Sequence, residues 1–338
     1  MVPHQKLLLV LAAVLTLLAA ASMITIHLLF SKVFFGRVKA PESNTSFRQE
    51  DYPGDDRGMA RFRSGKNTLQ GYLYGTGNTK ALVVISHGIG SGAADYMAET
   101  IWFVNHGYRV FTYDGTGSHA SEGRGTTGMA QSKIDLDAAL RYIEKTGGLK
   151  DLPVLLYGHS WGGYAAAAIL AADHPITASV SVAGYNTPGG IVYETAQKLT
   201  GPLAPLIYPA IRLNNFFRFG REANAAAVPA INASRTPILI IHGTGDRTIR
   251  YDGASIIARR YQITSPGAEF YVRSGEGQNG HGSLFLSAAA LAYAEQIQDS
   301  PAAERDKFKL AELDEDYMNT VNGFYEKHLG LSNRGGRR

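Results

Sequence analysis

The sequence predicts an α/β domain, a mostly parallel central sheet with helices on both faces and a small cap insertion, preceded by a transmembrane helix. Three observations predict it. Short runs rich in Val, Ile and Leu alternate with longer amphipathic stretches, the pattern of a sheet buried on both sides. About fifty residues, 184–235, intervene between two of these runs. Residues 7–30 carry no Asp, Glu, Lys or Arg, no Gly and no Pro.

At ~1.5 Å per residue, a helix over residues 7–30 exceeds the ~30 Å hydrocarbon core of a bilayer. A cleaved signal peptide is the competing reading, with Lys6 as its charged flank and Ala19, Ala20 and Ala21 as its cleavage site. The anchor is favoured because the apolar run continues past that site through Met23, Ile24, Ile26, Leu28, Leu29 and Phe30. An anchor places the chain on a membrane; cleavage would release it as a secreted protein. Lys32, Arg37 and Lys39 face Lys6 across the span, which leaves the side of the membrane open. Residues 1–38 are thus read as anchor with flanks. Residues 39–58, with Pro41, Pro53 and many charges, are read as a polar linker.

The folded domain is expected over 59–330. A hairpin (60–62 with 69–74) precedes strands at 81–86, 109–113, 153–157, 176–183, 237–242 and 269–272. Helices over 93–106 and 129–146 end at Gly107 and Gly147. In the second, Leu136, Leu140 and Ile143 share one face at helical spacing and read as core. Residues 331–338 form a basic tail.

Of the 338 residues, 45% are hydrophobic and 18% charged, enough apolar surface for a sizeable core and too few charges for disorder. The net charge of +4 is scattered apart from Arg334, Arg337 and Arg338, so nucleic acid is not an expected partner. The absence of cysteine excludes disulfides, thiol nucleophiles, iron–sulfur clusters and cysteine-ligated zinc. No His-Glu-x-x-His or comparable ligand spacing occurs, and no metal is expected.

The turn after the first buried strand allows two readings. Gly88, Gly90 and Ala93 fit G-x-G-x-x-A, with Asp114 placed as a dinucleotide fold would require. The same residues, read as His87-Gly88-Ile89-Gly90, form a loop that offers backbone N–H groups to an oxyanion. Gly158-His159-Ser160-Trp161-Gly162 decides between them. It joins a strand directly to a helix, and a turn that sharp needs flanks without bulk, leaving the serine hydroxyl at the carboxyl edge of the sheet. The unpaired N–H groups and positive dipole end of the following helix favour a developing oxyanion.

A serine hydroxyl needs a base, and the base an orienting acid. Asp246 follows the strand at 237–242, and His281, in Gly280-His281-Gly282, follows the next strand. Glu276 is the replacement acid. His87, His119, His159 and His242 are read as structural or pocket-lining.

With these residues in view, the chain from about 60 to 297 resembles the α/β-hydrolase superfamily. It looks most like the lysophospholipase, monoacylglycerol-lipase and serine-aminopeptidase-like branch. The matching features are Ser86-His87-Gly88, Asp114-x-x-Gly117 with Ser121-Glu122-Gly123, the serine elbow, and His242-Gly243-Thr244 before Asp246. The resemblance implies the α/β-hydrolase fold and hydrolysis through an acyl-enzyme without cofactor. It also implies an oxyanion hole from the N–H groups of Ile89 and Trp161. One departure stands out: the branch has Asp-x-Arg-Gly-His-Gly-x-Ser where this chain runs from Asp114 to Ser121 without that arginine.

Ser160, Asp246 and His281 are therefore the expected catalytic residues of a serine hydrolase acting on an acyl ester, lipid-like or small. A serine peptidase on the same fold is the alternative, with a nucleotide-dependent oxidoreductase and a non-catalytic binding module behind it. The aromatic residues of 184–235 are expected to cover the site, with Tyr185, Phe216 and Phe217 as candidate substrate contacts.

Overall fold

The computed structural model describes residues 3–34, 36–40, 46–301 and 304–330; the basic tail lies outside them. The expected hairpin is β1 (Arg57–Ser64) and β2 (Asn67–Tyr74). The expected buried strands are β3 (Leu82–Ser86), β4 (Arg109–Tyr113), β5 (Val154–His159), β6 (Ile176–Val182), β7 (Ile238–Gly243) and β8 (Ala268–Arg273). Together they form one sheet in the order β1-β2-β4-β3-β5-β6-β7-β8. β1, β2 and β4 pair antiparallel, and every pairing from β4 to β8 is parallel.

Helix α1 (Pro3–Phe34) precedes the sheet. α2 (Met97–Asn105), α3 (Gln131–Lys145) and α4 (Trp161–Ala168) connect its central strands. α5 (Pro188–Thr200), α6 (Ala204–Phe219) and α7 (Ala227–Ala233) fill the insertion between β6 and β7. α8 (Ala288–Gln296), α9 (Lys307–Leu310) and α10 (Glu315–His328) follow β8. Strand side chains alternate between the two faces. Val83, Ile85 and Tyr157 pack with Phe103 of α2 and Tyr325 of α10. Leu82, Val84 and Leu156 pack with Leu136 of α3 and Ala166 of α4 on the other face. This two-sided burial is why the strands read as unbroken apolar runs.

The linker expected over 39–58 is not a free spacer. Phe47 and Tyr52 are buried; Tyr52 packs against Tyr74 with ring centroids 4.8 Å apart, and β1 begins at Arg57. Val38 pairs with Ser118, its N–H donating to Gly117 O at 2.9 Å and its carbonyl accepting from His119 N at 2.8 Å. The polar composition concealed this docking because two aromatic side chains and a backbone bridge carry it.

The apolar N-terminal segment is helical, and residues Pro3–Thr25 are long and apolar enough to cross a membrane. None of these residues is buried in the domain.

Candidate active site

Parallel strands β5 and β7 end at the same edge of the sheet and deliver Ser160 and Asp246 there, while the loop after β8 delivers His281. Ser160 adopts φ 57°, ψ −109° between β5 and α4, in a region costly for a side chain. The turn is tight enough that a Cβ on Gly158 would overlap the carbonyl oxygen of Gly162, and a Cβ on Gly162 that of Ser86. Both flanks therefore require glycine.

His281 Nε2 lies 2.9 Å from Ser160 Oγ, and His281 Nδ1 lies 2.7 Å from Asp246 Oδ2. The other carboxylate oxygen, Oδ1, accepts from the N–H groups of Thr248 at 2.8 Å and Ile249 at 2.9 Å. Burial alone would raise the pKa of Asp246. Hydrogen bonds from His242, His281 and the Ile249 N–H outweigh it and hold the carboxyl well below the usual range. His242 Nε2 donates to Ile249 O at 2.9 Å and sits 3.3 Å from Asp246 Oδ2, so it buttresses the carboxylate. Glu276 stands exposed to solvent, and it is Asp246 that His281 bonds.

Among the described residues, the N–H groups of Ile89 and Trp161 have no partner within the fold. Both belong to loops that meet beside Ser160: a Cβ on Gly88 would fall 3.6 Å from the Ser160 Cβ. Unpaired donors there suit a developing oxyanion.

The other histidines hold the loops. His87 accepts from Gly115 N–H at Nε2 (2.8 Å), and its Nδ1 lies 2.7 Å from Gly88 O, which locks the loop after β3 to the loop after β4. Burial depresses its pKa and keeps it neutral. His159, buried beside His281, is lowered by burial and by that neighbour to about 3. The dinucleotide reading fails on Asp114. Its carboxylate is buried and already accepts from Ala93 N–H, Ala120 N–H and the Tyr72 hydroxyl, leaving nothing for a ribose.

The expected substrate contacts are placed differently. Tyr185 is fully buried, stacked on Tyr164 at 4.6 Å and donating to Met129 O at 2.6 Å, so it is part of the packing beneath the cap. Phe216 and Phe217 point outward from α6 and are 52% and 73% exposed. An aromatic count cannot say which side of a helix a ring occupies. The apolar side chains left half-buried against the cluster of Trp161 and Met129 are Ile89, Tyr193, Ile207 and Ala210, of which only Tyr193 belongs to the aromatic residues of the insertion. Another feature the sequence hid is Glu99 of α2, 3% exposed, lining a cavity of about 200 Å³ with Ser91, Tyr96, His159 and Phe285. Burial raises its pKa to about 7.

The family described as serine aminopeptidase, S33, matches residues 77–219. No curated protein matches the chain in sequence. Among solved structures, an esterase from Pyrococcus furiosus is similar with a TM-score of 0.58 at 17% identity, covering 87% of this chain and 98% of its own. The α/β hydrolase GrgF from Penicillium sp. sh18 gives 0.55 at 17%, covering 81% and 99%. Est1E from Butyrivibrio proteoclasticus, solved with ferulic acid bound, gives 0.51 at 16%, covering 71% and 96%.

Proposed function

For a chain with the fold of the α/β-hydrolase superfamily, we propose the function of a serine hydrolase that cleaves an acyl ester and is anchored to a membrane by α1. One observation carries the proposal: the hydrogen-bonded row from Ser160 through His281 to Asp246, at 2.9 and 2.7 Å, set on a strained strand-to-helix turn.

Ser160 Oγ attacks the acyl carbonyl as His281 Nε2 takes its proton. Asp246, held ionised, accepts from Nδ1–H, fixes the ring's tautomer and stabilises the imidazolium. The negative charge that develops on the carbonyl oxygen faces the N–H groups of Ile89 and Trp161. Collapse of the tetrahedral intermediate expels the alcohol, which leaves with the proton from His281. Water then attacks the acyl-enzyme by the same steps in reverse and releases the acid.

The half-buried Ile89, Tyr193, Ile207 and Ala210 support an apolar acyl group. Each methylene buried contributes ~0.8 kcal/mol, so kcat/KM should climb several-fold per carbon until the space is filled.

The test is a fluorophosphonate probe on the full-length protein, followed by p-nitrophenyl esters of rising chain length. Labelling of the wild type and its loss in Ser160→Ala are expected. Labelling retained in Ser160→Ala overturns the assignment. A flat response from acetyl to octanoyl esters, with efficient cleavage of an aminoacyl amide, favours the peptidase reading that the family match suggests.

A further inference from the structure

We propose that the outward face of α6 lies in the head-group region of the bilayer that α1 crosses, so that the cap itself seats the domain on lipid. This rests on α1 being a membrane anchor.

Leu206, Pro209, Leu213 and the pair Phe216/Phe217 recur every three or four residues and form one stripe along α6. Leu206 is 77% and Phe217 73% exposed, and Leu199 and Leu203 extend the patch toward α5. The opposite side, with Ala204 and Ile211, is buried against the domain. Single exposed leucines are ordinary on a soluble surface, but a contiguous apolar stripe marks an interaction site.

Three observations select lipid as the occupant. First, α1 packs against α6, while no residue of Pro3–Thr25 is buried in the domain. At ~1.5 Å per residue that part spans ~34 Å, enough for a ~30 Å hydrocarbon core, and the contact with α6 holds the cap against the same helix that crosses it.

Second, the tether is short. The Arg37 guanidinium donates to the carbonyls of His119 and Gly123, and Val38 is bridged to Ser118, so the chain is fixed to the domain three residues after the end of α1. Those three residues reach at most ~11 Å and the nine helical residues from 26 to 34 rise ~14 Å, so the attachment point stays within ~25 Å of Thr25 and the domain stays beside the bilayer.

Third, residues 184–235 hold five basic residues against two acidic ones, with Arg212 exposed beside the stripe. An apolar face with an exposed arginine at its edge and a net positive segment behind it suits an interface containing anionic lipid.

The absence of cysteine allows a direct test. Leu206→Cys, Leu213→Cys and Phe217→Cys, with Lys150→Cys as a solvent-exposed control, are labelled with an environment-sensitive fluorophore in the full-length protein. The protein is reconstituted in vesicles of phosphatidylcholine and phosphatidylglycerol. Labels on α6 should be quenched several-fold more than the control by spin-labelled lipid, and protected from iodide in the water. Quenching by iodide to the extent of Lys150→Cys overturns the proposal. Protection from both quenchers also overturns it, because a protein, including a second copy of this chain, then covers the stripe. Alkaline carbonate extraction of the same vesicles reports on α1 separately. Extractable protein removes the anchor on which the proposal rests, whereas protein that resists extraction but whose α6 labels are quenched by iodide overturns the docked cap alone.

Discussion

The hydroxyl of Tyr96 lies 2.7 Å from Nδ1 of His159 and joins the loop of Gly88 and Ile89 to the loop that carries His281. It accepts the N–H of Gly88 at 2.9 Å, so its own proton goes to His159 Nδ1. The Nε2–H of His159 then donates to the His281 carbonyl at 3.0 Å. A neutral His159 of one tautomer is required, and burial supplies it by holding the ring's pKa near 3.

Tyr96→Phe breaks this row and strands the Gly88 N–H, a loss of ~1–3 kcal/mol. With the donors beside Ile89 loosened, kcat should fall roughly 5- to 100-fold with little change in KM. Steady-state kinetics on a p-nitrophenyl ester checks this, and an unchanged kcat means the row has no positioning role.

Asp246→Asn keeps the shape of the acid but offers the imidazole the wrong partner. A loss on the order of 10⁴ in kcat is expected. Glu276→Gln, at an exposed position, should stay within about twofold of wild type. Exchanged effects would reassign the acid.

Stability should respond to pH through two groups beside one cavity. Glu99 is raised from 4.5 to about 7 by burial, so its contribution is full below pH 4.5 and is lost as pH rises through about 7. His159 is lowered from 6.5 to about 3, so its contribution is full above pH 6.5 and is lost as pH falls toward 3. Glu99→Gln should therefore melt higher than wild type at pH 8.5, by up to roughly 3 kcal/mol in stability, and gain little at pH 5. Melting curves in detergent across that range decide it; equal gains at both pH values exclude the carboxylate as the cause.

Gly162→Ala drives a methyl group into the Ser86 carbonyl at the base of the elbow. A loss of at least ~1–3 kcal/mol and of probe labelling is expected. Gly77→Ala, where a methyl group meets open space, should change neither. Unimpaired labelling of Gly162→Ala would mean the turn is looser than its φ and ψ indicate.

The strands were legible because both faces of the sheet are covered, which writes each as a run such as Leu82, Val83, Val84 and Ile85. Ser160, Asp246 and His281 were legible because each follows a strand with glycines nearby, and parallel strands bring their ends together. Glu99 and Tyr96 were not, since their meaning depends on α2 lying over His159, a contact between distant parts of the chain. Phe216 and Phe217 were visible as aromatic residues in an insertion. Their spacing with Leu206 and Leu213 marks a helical stripe, but only the position of α6 on the domain shows that the stripe faces outward. The buried Phe47 and Tyr52 lay within a stretch whose prolines and charges outvoted them.

Helix α10 also sets an order of events during synthesis. The Tyr325 hydroxyl donates to the carbonyl of Leu156 on β5 across 169 positions of sequence, and Tyr317 meets Tyr157 hydroxyl to hydroxyl at 3.0 Å. At ~5–20 residues per second, the ribosome delivers α10 roughly ten to thirty seconds after the strand it covers. Throughout that interval the part of the apolar face around Tyr157 that α2 does not cover is open while α1 has already left the ribosome. The nascent chain therefore waits with that side of its sheet covered by α2 alone, and chaperone binding and aggregation compete for the part left to α10.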